Sequence, residues 1–208
     1  MTNIFDDKIQ SMTEHEILTK LFNILYRNKD NELKWLDAII KHNPNLHDMY
    51  FTLSYPNIRF DCINPYHAVI VGTTKSVDNK IECLNKLFAT DCNINEIDND
   101  GFTPLLYACK FNSDFQIVKL LLNHGANPTK INKVNKLEES TLSYAIKFRR
   151  ADLVELLLNR GADEIFFNKN KAKKYILRLS KYMGTLKISK LIDEANKLSK
   201  CKYSLQKI

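Results

Sequence analysis

Apolar residues along the 208-residue chain gather in short blocks at helical spacing, separated by polar stretches rich in turn-forming residues. The clearest block is Ile117-Val118 with Leu120-Leu121-Leu122. It is apolar nearly all round, which predicts a helix pressed on several sides by neighbours. The same pattern returns at Leu153-Val154 with Leu156-Leu157-Leu158. A shorter apolar segment precedes each block, Leu105 to Ala108 and Leu142 to Ala145, and a glycine follows, Gly125 and Gly161. The predicted unit is a helix pair closed by a residue that accepts positive φ. Thr103-Pro104 predicts the start of a first helix, because the hydroxyl can cap orphan N–H groups and proline lacks only a donor that the first turn does not use. Asp98-Asn99-Asp100-Gly101-Phe102 reads as a tight turn leading into it.

The unit recurs. Thr103-Pro104-Leu105-Leu106-Tyr107-Ala108 corresponds to Ser140-Thr141-Leu142-Ser143-Tyr144-Ala145, with an offset of 37 residues at Ala108/Ala145 and 36 at Gly125/Gly161. One extra residue therefore sits in the Phe111 to Asp114 loop of the first copy. Weaker copies extend the array. Asn64-Pro65-Tyr66-His67 stands in the first-helix place, followed by Leu84 to Leu87 and by Asp91-Cys92-Asn93-Ile94-Asn95, where Asp91 replaces the glycine and predicts a differently built helix end. Upstream, His15 to Asn28 and Glu32 to His42 are amphipathic, with Asn43 in the left-handed place; downstream, Lys173 to Tyr182 and Leu186 to Leu198 flank Gly184 as a further pair.

These blocks resemble the ankyrin repeat, whose signature is T-P-L-H-x-A followed by a leucine-rich second helix and Gly-Ala-Asp, with a period of about 33 residues. The resemblance implies an all-α solenoid of about five helix pairs joined by hairpin fingers, with degenerate repeats capping both ends. It divides the chain into an N-terminal cap and finger at 1–63, repeats at 64–97, 98–132 and 133–168, a basic capping pair at 169–202 and a tail at 203–208.

Charge is uneven along this array. Lysine and arginine exceed the acids by 31 − 24 = +7, but residues 165–208 carry twelve basic residues against Asp193 and Glu194, leaving −3 for residues 1–164. Such a basic end could touch phosphates or an anionic membrane, although a solvated cap is the favoured reading. The five glycines are too dispersed for a phosphate-cradling loop. Five cysteines without a C-x-x-C pair point away from a zinc site or a disulfide framework, and a cytoplasmic, monomeric protein without a signal peptide or membrane span is expected.

Catalytic chemistry finds little support. Asp98/Asp100 and Glu138/Glu139 are paired carboxylates, but both pairs fall on finger tips where solvated turn residues are the simpler reading. His67 occupies the repeat's histidine slot, where the resemblance implies a ring that satisfies backbone groups of the next finger. No nucleophile motif occurs. We therefore expect no enzyme, no cofactor and no metal, but a protein partner. The family's concave side carries over to Tyr107, Lys110 and Phe111 in one repeat and Tyr144, Lys147 and Phe148 in the next, with Asn99, Phe102 and Asn135 from the fingers. For Tyr107 and Tyr144 contact with the partner is favoured, tyrosine being a rigid amphipathic anchor. For Phe111 and Phe148, folding back under the loops as core is favoured.

Overall fold

The computed structural model describes residues 4–27, 33–43, 46, 49–55, 58–73, 76–129, 131–132 and 139–162. The expected capping pair at 169–202, the basic tail and Asn135 lie outside the described residues.

The helices are α1 (Ile4–Gln10), α2 (Glu14–Arg27), α3 (Leu33–His42), α4 (Pro65–Val71), α5 (Val77–Leu87), α6 (Pro104–Lys110), α7 (Phe115–Asn123), α8 (Thr141–Lys147) and α9 (Ala151–Asn159). Apart from α1 they pair as α2/α3, α4/α5, α6/α7 and α8/α9. The first helices α2, α4, α6 and α8 pack in one row and the second helices α3, α5, α7 and α9 in another. This two-row stack is the predicted all-α repeat architecture, and its core is one continuous apolar seam. Leu84 and Leu87, Leu105 and Leu106, Val118 and Leu121, and Leu153 and Leu157 are buried along it. Burial on both flanks explains why the second-helix blocks are apolar nearly all round.

Fingers join the pairs. Strands β1 (Phe51–Tyr55) and β2 (Ile58–Ile63) form an antiparallel hairpin before α4, pairing Leu53 with Phe60 and Tyr55 with Ile58, with an irregular register between Phe51 and Leu53. The finger before α8 closes with β3 (Ile131–Asn132) and β4 (Glu139–Ser140), and Ile131 faces Ser140. The finger before α6 is the expected tight turn: Gly101 N–H donates to Asp98 O at 2.9 Å and Gly101 has φ +81°.

Helix ends follow from local chemistry. Asn64, Thr103 and Asp114 accept the N–H groups of His67, Leu106 and Gln116 at the starts of α4, α6 and α7. Second helices α7 and α9 end at Gly125 and Gly161, with φ +88° and +81°, and the next N–H turns back in each case: Ala126 to Leu121 O at 3.0 Å and Ala162 to Leu157 O at 2.9 Å. At the other end of the repeat, Asn112 (φ 53°) and Arg149 (φ 60°) take the left-handed region after the first helices α6 and α8, in the same register. Asn43 does not: its N–H and its side-chain amide both donate to Ile39 O, at 2.9 and 3.2 Å, and this closes α3 without a positive φ. After α5, where Asp91 replaces glycine, the carbonyl of Leu87 instead accepts from Thr90 N–H (3.0 Å), the Thr90 hydroxyl (2.6 Å) and the Tyr66 hydroxyl (3.0 Å).

Helix α1 lies against α3. Phe5 meets Trp35 edge-on with ring centroids 5.0 Å apart, Ile9 is buried, and Asp6 accepts from Lys41 Nζ at 2.7 Å. The Lys41 ammonium beside it, together with His42, holds the Asp6 carboxyl below the usual carboxylate range.

Candidate interaction face and its aromatic ladder

Repeat-to-repeat polar clasps fix the fingers that border the site. His67 is fully buried, and its Nε2 lies 2.9 Å from Phe102 O in the next finger. A carbonyl oxygen only accepts, so Nε2 carries the proton and the ring ties α4 to that finger, as the resemblance implied. Burial pushes the ring down to about 4. Farther along, the Asn95 side chain donates to Gly125 O at 3.0 Å and accepts from Asn127 N–H at 2.6 Å, which sets one finger against the next.

Asp98 corrects the reading of the finger tip as merely solvated. Its side chain is buried; Oδ1 accepts from Phe102 N–H at 2.7 Å and Oδ2 accepts from the Tyr107 hydroxyl at 2.6 Å. Burial raises the Asp98 carboxyl above its ordinary value, opposed by these hydrogen bonds and by the nearby Lys110 charge. Burial and the Asp98 carboxylate push the Tyr107 hydroxyl well upward, so it stays a donor. Asp100, two residues on, is exposed. The pair thus divides its work: Asp98 fastens the turn to α6, and Asp100 faces solvent.

Tyr107 and Tyr144 are therefore not surface anchors. They are 1% and 3% exposed. Each lies one residue before Ala108 or Ala145 on a first helix whose row is packed against neighbouring first helices, and this position faces the seam. The phenylalanines depart from expectation the other way. Phe111 is 45% and Phe148 38% exposed. Both follow the last residue of a first helix, Lys110 or Lys147, and precede the residue in the left-handed region, so the chain turns away before either ring can fold under it. Residue type and period could not separate these outcomes, because Tyr and Phe are both amphipathic enough for either side and the positions stand four apart on one helical face.

The rings form a ladder. Phe102 stacks on Tyr107 at 4.7 Å and 22°, and Tyr107 stacks on Phe111 at 5.5 Å and 2°. Lys110 lays its ammonium 3.8 Å from the centroid of the buried Phe102 ring and 5.7 Å from that of Tyr107. The next repeat repeats the outer part: Tyr144 and Phe148 are 6.5 Å apart at 15°, and Lys147 Nζ lies 5.6 and 5.8 Å from their centroids. Among the described residues neither Lys110 nor Lys147 forms an ion pair with a carboxylate. Asn99 is exposed at the finger tip, near the base of the ladder. The two exposed phenylalanines, the half-buried Lys110 and the exposed Lys147 thus stand on buried aromatic supports that limit their rotamer freedom.

Burial pushes the thiols of Cys83 and Cys109 up to about 12 and that of Cys92 to about 11, so they are poor nucleophiles. Among the described residues no three His, Cys, Asp or Glu side chains gather as a metal site, and no helix is long and apolar enough to cross a membrane.

Comparison with known proteins agrees with the architecture. Residues 74–168 match the family model for ankyrin repeats, described as three copies. An ankyrin repeat protein of Fowlpox virus (strain NVSL) is 31% identical over 126 residues, covering 59% of this chain and 21% of the relative. One from Acanthamoeba polyphaga mimivirus is 29% identical over 134 residues, covering 62% of this chain and 81% of the relative. A second mimivirus ankyrin repeat protein is 27% identical over 163 residues, or 76% of this chain but 19% of the relative. The chain thus spans about a fifth of the length of two of these three relatives. Ankyrin repeats generally mediate protein–protein interaction rather than catalysis. Two-row stacking, the glycine-ended second helices and the family match lead to one assignment: residues 74–168 of this chain are ankyrin repeats, and the His67 clasp ties the preceding helix to them.

Proposed function

We propose that the chain is a non-enzymatic binding module that holds a partner protein against Lys110, Phe111, Lys147 and Phe148, with Asn99 contributing from the finger tip. The observation that carries this reading is the pair of exposed phenylalanines, recurring in register on adjacent repeats and each stacked on a buried tyrosine. Large exposed rings at equivalent positions of a repeat array are unusual for a solvated surface and suited to an interface core. Their buried supports lower the entropy lost on docking. Tyr107, Tyr144 and Phe102 act from beneath as that support rather than as contacts. The relatives are viral, which supports a modulator of a host factor; we read it as a monomer working in the host cytosol or nucleus.

A pull-down from host-cell lysate at physiological salt tests this. Wild type is compared with Phe111→Ser/Phe148→Ser/Lys147→Glu, a variant whose circular dichroism and melting point match the parent. A discrete protein captured by the first and lost by the second is expected. Equal capture moves the interface elsewhere. Recovery of nucleic acid or lipid alone, abolished by added salt, moves the function to the basic C-terminal segment.

A further inference from the structure

The ladder also bears on the form of the partner. Phe111 and Phe148 occupy equivalent places at the ends of α6 and α8, which are packed neighbours in the first-helix row. Packed helices lie about 8–10 Å apart, so the two rings recur at about that spacing across the face. A ligand that uses both must present apolar side chains on one side at the same interval. A β-strand offers about 6.7 Å between residues two apart, which is too short, and about 13 Å between residues four apart, which is too long. A polyproline II segment rises about 3.1 Å per residue with three residues per turn, so residues three apart share a side and lie about 9.3 Å apart. That matches the helix spacing. An α-helix returns to the same side after seven residues at about 10.5 Å, just beyond the upper limit.

Charge selects the rest of the ligand. Lys110 and Lys147 recur beside the two rings without a carboxylate partner among the described residues, and their ammonium groups are held by aromatic faces instead. Carboxylates on the ligand would meet lysines that the fold holds against aromatic faces rather than in ion pairs with the described carboxylates.

Resting on the binding face proposed above, we infer that its partner is an acidic linear segment bound in polyproline II form, with apolar side chains every third residue seated on Phe111 and Phe148 and carboxylates between them paired with Lys110 and Lys147. Such a segment needs no fold of its own and loses little backbone freedom on docking.

Selection from a displayed library of random twelve-residue peptides tests this. The full chain is the bait, and Phe111→Ser/Phe148→Ser serves as counter-selection. Enriched peptides are expected to carry apolar residues three apart with Asp or Glu between them. A synthetic copy of the leading peptide should bind at least tenfold more weakly to Lys110→Glu/Lys147→Glu, and more weakly as salt rises. Peptides that depend on the two phenylalanines but lack acids, or that space their apolar residues by two or seven, overturn the inference and leave the face itself standing. Failure to enrich any peptide sensitive to the two phenylalanines overturns the inference together with the binding face. Circular dichroism of the double variants confirms that loss of binding is not loss of fold.

Discussion

Replacing His67 by leucine removes a buried ring that bridges two repeats, and leucine fits because Leu106 fills the same place one repeat later. At neutral pH the ring donates from Nε2 to Phe102 O and accepts from Asn64 N–H at Nδ1, 3.3 Å away. The leucine variant leaves that N–H without its partner, at about 1–3 kcal/mol, and takes from the carbonyl one of its two donors, at about 0.5–1.5 kcal/mol because Asp98 N–H remains at 3.0 Å; with some offset from apolar packing the net loss is roughly 2–3 kcal/mol. The pH dependence is the sharper test. Burial pulls the folded ring from 6.5 to about 4. The unfolded chain therefore takes up the proton more readily, so the stability due to this ring is fully present above about pH 6.5 and is lost as pH falls through about 4. Linkage gives a loss of about 2.5 kcal/mol by about pH 4.5. One contact works the other way: Nδ1 lies 2.8 Å from Asn64 Oδ1, where two acceptors face each other until the ring protonates. With the ring at zero exposure, burial is the larger effect. Urea unfolding followed by far-UV circular dichroism, at about pH 7 and about pH 4.5, should show wild type ahead of the variant by roughly 2–3 kcal/mol at the higher pH and nearly level at the lower. A gap that stays constant between the two would refute the burial argument and show that the Asn64 contact cancels it.

Tyr107→Phe keeps the ring stack but strips the buried Asp98 carboxylate of the hydroxyl that donates to Oδ2, a loss of about 1.5–3 kcal/mol in urea unfolding at neutral pH. Asp98 has a raised folded value, so its native state holds the proton more readily; the stability this adds is present in acid and lost as pH rises through that value. The Tyr107→Phe deficit should therefore shrink in acid. Gly125→Val should cost about 1–2 kcal/mol by thermal unfolding, a purely backbone penalty, because φ is +88° and a Cβ there meets nothing within 4 Å.

The parts of the fold that were legible from the chain are those with a period or an obligatory residue. The Leu-rich second helices, the Thr103 cap and the positive-φ glycines were readable because each has one local physical solution. So was His67, through its place in the signature. Helix α1 carried too weak a signal: seven residues whose stability comes from Phe5 against Trp35 and Ile9 in the core, contacts made across the chain. The left-handed Asn112 and Arg149 were hidden because neither is glycine, although both stand where the two copies turn between helices. At the candidate face the lysines and the recurring register were visible, but which aromatic points inward was not. That choice depends on Asp98, nine residues before Tyr107, being buried and ready to accept its hydroxyl, and on the turn that carries Phe111 and Phe148 outward. A signal was present in hindsight: Asp98 heads the conspicuous turn motif, and a tyrosine hydroxyl headed for burial needs such an acceptor.

The most direct measurement pairs stability with binding for Phe111→Ser/Phe148→Ser. Both rings are more than a third exposed, so removing them should change the unfolding free energy by no more than about 0.5–1 kcal/mol. Binding of the partner recovered by pull-down should meanwhile weaken by at least a hundredfold, about 2.7 kcal/mol for two interface anchors. A variant that keeps its stability and loses its partner is the expected result. Full retention of binding by a folded variant would contradict the face, and a large loss of stability would show that the two rings serve the fold instead.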